Sequence, residues 1–292
     1  MENEERPKAV HKGLKKGLYV IPTAFTAANI AMGFIAVLYS IRGYHFAFSD
    51  PGVASWYFNR AAIAILLAIL FDTLDGRVAR MTKTATEIGV QFDSLADVLT
   101  FGIAPIALIF SWAIGSSFNE KSSEYGFGIF LLFMYLMCGT FRLARFNLQA
   151  TRPRVLMEGT PKVDKKNFVG LPIPPAAGLM ASIVHFAPVP LISYGEANAR
   201  YYTYLIMTLV TIMSILMVST IKYSSMKTVG LGRRNLYLVL VIAAVGMLIF
   251  LYSKYVLLIL SGAYVAHGVI WYLISFIRPR TNRPAEHSEA KA

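Results

Sequence analysis

The chain has 292 residues, of which 56% are hydrophobic and only 15% are charged, and its mean hydropathy is +0.54. This composition excludes an ordinary soluble domain and is typical of a polytopic membrane protein. The single cysteine, Cys138, excludes a disulfide framework and a thiolate zinc site. The net charge of +12 is expected from membrane topology and attraction to anionic lipid, so we predict no nucleic-acid partner.

Eight apolar runs are long enough to cross a bilayer. In chain order they are 19–41, 57–81, 89–113, 126–146, 171–193, 202–221, 236–253 and 255–276. The last two contain no acidic residue, so the chemistry is expected in the first six. We therefore predict an all-α, polytopic membrane helical bundle, with a six-helix catalytic core plus two C-terminal transmembrane helices.

The regions between and beyond the spans complete the predicted organisation. Residues 1–18 form a basic N-terminal segment, either an interfacial helix or a disordered flank. The core covers 19–225, and its first run has no cleavage site after it, so we interpret that run as a retained helix. An additional two-helix hairpin covers 226–278, and a polar, disordered tail covers 279–292.

The basic residues predict the orientation of the bundle. With the N-terminus in the cytoplasm, 23 of the 28 Lys and Arg residues fall on the inner side. This bias predicts that both termini face the cytoplasm, N-in and C-in, in the cytoplasmic (inner) membrane. The five basic residues on the outer side are Arg42, Arg60, Lys121, Arg200 and Lys254.

Four aspartates interrupt the second and third apolar runs. Asp72 and Asp75 (i, i+3) share one helix face, as do Asp93 and Asp97 (i, i+4). One Asp at the centre of a membrane helix costs roughly 2.5–3.5 kcal/mol, so four cost roughly 10–14 kcal/mol before any compensation. The predicted topology brings all four together near the cytoplasm. Two hard cations, Mg²⁺ or Mn²⁺, would neutralise them and polarise a diphosphate.

A complete family signature lies between residues 72 and 97. Its defining residues are Asp72, Asp75, Gly76, Ala79, Arg80, Gly89, Asp93 and Asp97. This pattern resembles the signature of the CDP-alcohol phosphatidyltransferase family. The resemblance implies a six-helix membrane core in which the hydroxyl of a small alcohol attacks the lipid-bearing phosphate of a CDP-lipid and releases CMP.

The resemblance also implies a role for each residue of the signature. The implied metal ligands are Asp72, Asp75, Asp93 and Asp97. Asp97 contacts a metal or acts as the general base that takes the hydroxyl proton. Gly76 and Ala79 make room for the cytidine, and Arg80 contacts phosphate or braces the acidic cluster. Gly89 is small enough to let a helix or the substrate approach the backbone closely.

The residues around the third aspartate resemble the branch of the family whose acceptor is serine. The stretch 91–105 places Ser94, a candidate substrate-binding residue, directly after Asp93, where the glycerophosphate-using branch more often has Pro. The stretches 22–33, 139–147 and 168–174 resemble the same branch. The implied substrates are CDP-diacylglycerol and L-serine, the implied products are phosphatidylserine and CMP, and a homodimer is expected.

Several polar residues in these stretches are candidates for substrate binding. Arg142 and Arg145 (i, i+3) share a helix face and could grip a carboxylate or phosphate; the alternative is that they snorkel to the interface. Asn147 adds a polar partner nearby. Thr26 and Asn29 on the first span could hydrogen-bond nucleotide or serine, or simply bridge helices.

Three alternatives to a serine-using enzyme remain open. The acceptor could be another alcohol, such as glycerol phosphate, inositol phosphate, choline or a cardiolipin-type lipid. A cation transporter would use the aspartates as a transit site, but it needs polar access from both faces. A non-catalytic scaffold would leave the buried carboxylates without a purpose.

Overall fold

The computed structural model describes residues 12–82, 87–151, 167–224 and 235–277. Predictions for residues 1–11, for part of the inner loop and for the C-terminal tail fall outside these ranges. The first helix begins at Lys12, so the described part of the basic N-terminal segment continues directly into the first span.

Seven helices and one pair of very short strands make up the described chain. The helices are α1 (Lys12–Phe46), α2 (Pro51–Thr82), α3 (87–117), α4 (Ser123–Thr151), α5 (Ile173–Phe186), α6 (Glu196–Val218) and α7 (Asn235–Ile277). A 3₁₀ turn, Leu191–Tyr194, lies between α5 and α6. Strands β1 (Asn167–Val169) and β2 (Lys222–Ser224) pair antiparallel. Apart from this pair, the all-α prediction is confirmed.

The protein is an integral membrane protein. Among the described residues, five helices are long and apolar enough to cross a membrane: Thr23–Phe46, Ile88–Ser117, Ser123–Leu148, Glu196–Val218 and Ala243–Trp271. The first four overlap the predicted spans 19–41, 89–113, 126–146 and 202–221, whereas the fifth overlaps both 236–253 and 255–276. The total of eight spans and the N-in orientation stay predictions.

Helix α5 is shorter than the predicted span 171–193, because it has only 14 residues. It begins immediately after Pro172 and ends at Phe186. Pro188 and Pro190 follow, and proline has no N–H with which to continue a helix. The apolar run therefore continues beyond the helix itself, and this is why hydropathy alone overestimated its length.

Helix α3 departs from regular α geometry directly after Asp97. Its pieces are Glu87–Asp97, Val98–Ile103 (π), Ala104–Ile109, Phe110–Ile114 (π) and Gly115–Ser117. Pro105 has no N–H for the carbonyl of Phe101 four residues earlier, and the hydroxyl of Tyr135 donates to that carbonyl instead at 3.1 Å. Wider π turns commonly accompany functional sites in helices.

Helices α1, α2 and α3 pack closely around a core that includes Phe58, Ile65 and Phe101, all fully buried. A Cβ at Gly33 of α1 would lie 2.5 Å from the Thr100 hydroxyl of α3. The backbones of α1 and α3 are therefore in near contact, and this brings the polar residues of α1 beside the acidic start of α3.

The strand pair fixes the start of α5 against the end of α6. The Gly170 N–H donates to the Ile221 carbonyl at 2.8 Å, and the Leu171 N–H donates to the Leu216 carbonyl at 3.0 Å. Gly170 has φ +81°, and a Cβ there would lie 2.3 Å from the Met217 carbonyl oxygen. Glycine is thus required at this position for both its conformation and its size.

Replacing Gly170 by alanine should destabilise the protein by about 3 kcal/mol, because strain and a backbone clash add. Gly195 is the matched control, since its φ is +87° but a Cβ there would meet nothing within 4 Å. Gly195→Ala should therefore cost only the conformational strain, about 1 kcal/mol. Thermal unfolding of both variants in the same detergent tests this; equal shifts in the midpoint would contradict the steric explanation.

Helix α7 contains 43 residues and one break, at Tyr252 (φ −132°, ψ 43°). The two predicted C-terminal spans, 236–253 and 255–276, meet at this break. Helix α7 packs against α5, where the His185 ring nitrogens contact Asn59 Oδ1 of α2 at 2.7 Å and Ser253 Oγ of α7 at 2.9 Å. That the two halves form a hairpin stays a prediction.

Candidate active site

The acidic side chains of α2 and α3 meet where the two helices approach each other. One carboxylate oxygen from each of Asp72, Asp93 and Asp97 lies within 4.8 Å of the others, and all three residues are half-buried. The i, i+4 spacing turns Asp93 and Asp97 to one face of α3, and Asp72 faces them from α2. The prediction that two neighbouring helices bring these carboxylates together is confirmed for these three residues.

Asp75 lies beside this cluster and is turned toward α1. It is only 6% exposed, and its carboxylate accepts a hydrogen bond from the Thr26 hydroxyl. It is close enough to interact electrostatically with Asp93 and Asp97. Thr26 therefore orients Asp75 at the edge of the acidic cluster, and a metal-binding role for Asp75 stays a prediction.

One member of the cluster and one residue of α1 have buried polar atoms without a hydrogen-bond partner among the described residues. They are Asp97, through Oδ1, and Asn29, through both atoms of its amide. Asn29 is fully buried on α1, one turn after Thr26. Burying such atoms unpaired costs free energy, so they fit a site that binds a polar or ionic ligand.

The donor set fits a divalent cation. Three carboxylates converge, a buried carboxylate oxygen is unpartnered, and Mg²⁺ and Mn²⁺ prefer oxygen ligands of this kind. Repulsion among the carboxylates would be relieved by a bound cation. The arrangement is therefore suited to holding a metal ion against a phosphate-bearing substrate.

Arg142, near the end of α4, is a basic residue that faces this acidic group. It is 8% exposed, its Nε has no hydrogen-bond partner among the described residues, and it lies within electrostatic range of Asp97. It forms no ion pair in the described part of the chain. Because its side chain is buried, Arg142 does not snorkel to the membrane interface. Arg145, one turn later, is half-buried and electrostatically opposes Arg142.

The remaining predicted substrate residues lie around the cluster. The Asn147 amide donates to Ser94 Oγ at 2.8 Å, and Ser94 in turn donates to the Val90 carbonyl at 3.0 Å. These bonds tie the end of α4 to the second and third turns of α3. Gly76 is half-buried and Gly89 is exposed. Ala79 and Arg80 belong to α2, but their side chains lie outside the described part of the structure.

One tyrosine that sequence analysis did not single out lies near this group. Tyr264 of α7 is half-buried against the core and lies within electrostatic range of Arg142. Its position in the middle of the predicted span 255–276 was the available signal, because interfacial tyrosines are expected at the ends of spans.

These features define a membrane enzyme of phosphoryl-group transfer, and the family comparison agrees. A family model for CDP-alcohol phosphatidyltransferases matches residues 19–193. The chain belongs to this family, as its aspartate signature indicated. The matched region contains the acidic cluster and all of α2 through α5, but it ends before α6 and α7.

Individual relatives are similar over 44–89% of the chain. A CDP-diacylglycerol–serine O-phosphatidyltransferase of Helicobacter pylori is 30% identical over 89% of this chain and 94% of the relative. An archaetidylserine synthase of Methanothermobacter thermautotrophicus is 32% identical over 72% of each chain. A CDP-diacylglycerol–serine O-phosphatidyltransferase of Saccharomyces cerevisiae is 35% identical over 44% of this chain and 42% of the relative.

Proposed function

We propose that the protein transfers the phosphatidyl group of CDP-diacylglycerol to the hydroxyl of L-serine, giving phosphatidylserine and CMP. The observation that carries this proposal is the carboxylate cluster of Asp72, Asp93 and Asp97 with Arg142 nearby. Serine is favoured as the acceptor because the relatives from Helicobacter and Methanothermobacter both carry serine in their names.

We propose that four aspartates hold two divalent cations, Mg²⁺ or Mn²⁺. The ligands would be Asp72, Asp75, Asp93 and Asp97. When bound, such cations stabilise the negative charge of a diphosphate and of its leaving phosphate. The half-buried positions of three of these carboxylates, and the Thr26 hydroxyl that orients the fourth, support this assignment.

In this reaction Asp97 acts as the general base. The serine hydroxyl oxygen forms a bond to the phosphorus that carries the diacylglycerol, and the bond from that phosphorus to the CMP oxygen breaks. The hydroxyl proton passes to Asp97 Oδ1, which is buried and has no partner among the described residues. A serine-type hydroxyl is a weak nucleophile at neutral pH, so a carboxylate within hydrogen-bond reach accelerates the attack.

The surrounding residues bind the two substrates. Arg142 and Arg145 grip the serine carboxylate or a substrate phosphate, because a guanidinium fork matches both groups. Thr26 and Asn29 present polar groups from α1. The residues that accommodate the nucleotide and its phosphates, or complete the wall of the site, are Gly76, Ala79, Arg80, Gly89, Ser94 and Asn147.

Replacing Arg145 by alanine is expected to raise the apparent KM for serine or for CDP-diacylglycerol about tenfold, since a charge-assisted hydrogen bond contributes about 1.5–3 kcal/mol. Steady-state CMP release with each substrate varied in turn measures the effect. Arg200→Ala is the matched control, because Arg200 is exposed and pairs with Glu196 on α6. Unchanged kinetics in Arg145→Ala would show that Arg145 binds neither substrate and serves only as a basic residue on the inner side of the membrane.

The proposed arrangement places the site at the cytoplasmic face of the inner membrane, with both termini inside and the protein as a homodimer. Helix α7 would be about 65 Å long if it were straight, more than twice the roughly 30 Å hydrocarbon thickness of a bilayer. We therefore propose that its halves form a hairpin that turns at Tyr252, where the helix is broken.

An acceptor panel tests the proposed function. Purified protein is incubated with CDP-diacylglycerol, Mn²⁺ and one alcohol at a time, and CMP release is measured. Serine should support turnover, while glycerol phosphate, inositol phosphate and choline should not. Turnover with one of those alcohols in place of serine would overturn the acceptor assignment. Metal flux into proteoliposomes without CMP release would instead favour a cation transporter.

A further inference from the structure

The last helix is anchored to α5 at a defined level of the bundle. On α5, His185 contacts Ser253 of α7 at 2.9 Å, and its other ring nitrogen contacts Asn59 of α2 at 2.7 Å. Helix α7 packs against α5, and beyond Ser253 its residue Val265 is 6% exposed and belongs to the buried core. This three-residue contact therefore sets the register of α7 against the core.

The opposite end of α5 lies beside the residues that precede Arg142. A Cβ at Gly139 of α4 would lie 2.5 Å from Ile173 Cδ1, at the start of α5. Gly139 and Arg142 are three residues apart and share a helix face. Ile173 therefore lies at about the same depth in the bundle as the turn of α4 that carries Arg142.

When α7 is counted antiparallel to α5 from the His185 contact, Tyr264 falls at that same level. Ile173 lies twelve residues before His185, a rise of about 18 Å, and Tyr264 lies eleven residues after Ser253, a rise of about 17 Å. Tyr264 and Arg142 also lie within electrostatic range of each other. Register and electrostatics thus agree that α7 brings Tyr264 to Arg142.

A hydroxyl partner for Arg142 has a specific chemical consequence. An acidic partner would form an ion pair and cancel the guanidinium charge, whereas a phenol oxygen accepts a hydrogen bond and leaves that charge available. Arg142 has no ion pair among the described residues, and its Nε is unpartnered there. The guanidinium is therefore buried, charged and available to a carboxylate on a ligand.

We propose that Tyr264 is a positioning residue that orients Arg142 toward the carboxylate of the acceptor. Helix α7 thereby contributes to selection of an amino-acid acceptor, although it lies beyond the region that the family model matches. This inference rests on the proposed function, since it assumes that serine is the acceptor.

The test is Tyr264→Phe, which removes one oxygen atom and keeps the ring. The KM for serine should rise about tenfold, while the KM for CDP-diacylglycerol and the rate at saturating serine stay within about twofold. The preference for serine over ethanolamine, which lacks the carboxylate, should fall by about the same factor as the serine KM rises. Tyr255→Phe is the matched control, because Tyr255 is exposed on the same helix.

An unchanged serine KM in Tyr264→Phe would overturn the inference, and so would an equal rise in both KM values, which indicates a general structural effect. If Tyr264→Phe does not fold, Tyr264→His is measured in the same way. A rise in the KM for serine without a rise in the KM for CDP-diacylglycerol would again support the inference, and any other result would overturn it. Absence of serine turnover in the wild-type protein would refute the proposed function instead. The two failures are therefore distinguishable.

Discussion

Asp97→Asn is expected to lower turnover by about 10²–10⁴-fold, the usual contribution of a general base. The amide has nearly the same shape as the carboxylate but cannot accept the hydroxyl proton. CDP-diacylglycerol binding should change by less than about threefold, since the diphosphate still meets the other carboxylates and any cations they hold. The measurement is single-turnover CMP release together with equilibrium binding of the CDP-lipid.

Asp50→Asn serves as the control for this variant. Asp50 is exposed and caps the start of α2 through the Gly52 and Val53 N–H groups, both at 3.0 Å. Asp50→Asn changes a carboxylate to an amide at the start of α2, the end of that helix far from Asp72, so turnover should stay near the wild-type value. Near-normal turnover in Asp97→Asn would show that the base assignment is wrong.

Asp93→Asn is expected to weaken cation binding and to lower turnover by about 10²–10³-fold, because metal-assisted charge stabilisation supplies several kcal/mol in the transition state. Asp93 is one of the three carboxylates whose oxygens lie within 4.8 Å of one another. Electron paramagnetic resonance of Mn²⁺ titrated into the purified protein counts the bound ions independently of activity. The wild-type protein should bind two.

Glu196→Gln is the matched control for the loss of a carboxylate, since Glu196 is exposed and pairs with Arg200 at 3.0 Å. It should bind Mn²⁺ as the wild-type protein does. If Asp93→Asn also bound two Mn²⁺ ions with unchanged affinity, the acidic cluster would not be the metal site. Loss of turnover with unchanged metal binding would assign Asp93 to the substrate.

The carboxylate cluster was predictable because it depends mostly on local geometry. The i, i+3 and i, i+4 spacings fix which side chains share a face, and a short connection makes α2 and α3 neighbours. These two facts bring Asp72, Asp93 and Asp97 together without knowledge of any other helix. The helical class was equally predictable, since long apolar runs leave the backbone few ways to satisfy its hydrogen bonds in lipid.

The features that sequence analysis missed depend on contacts between distant segments. The hydrogen bond from Thr26 to Asp75 and the bond from Asn147 to Ser94 each need the packing of a second helix. The approach of Tyr264 to Arg142 depends on the register of α7 against α5, which the His185 contact sets. Hydropathy reports none of these, because it measures how apolar a segment is and not which neighbour it meets.

The irregular backbone of α3 and the short length of α5 were hidden for a different reason. Both depend on proline inside or beside an apolar run. Pro105 leaves the Phe101 carbonyl to Tyr135, and Pro188 follows the end of α5. A hydropathy window averages over such residues, although each removes a backbone donor and changes where a regular helix can continue.

The most direct measurement counts both products of the proposed reaction in one sample. Purified wild-type protein and Asp97→Asn are supplied with CDP-diacylglycerol, Mn²⁺ and isotopically labelled serine, and the lipid and nucleotide products are quantified by mass spectrometry. The wild-type protein should form one labelled phosphatidylserine for each CMP, and the variant should form neither at a comparable rate. CMP release without labelled lipid, or equal product from both proteins, would contradict serine transfer at the aspartate cluster.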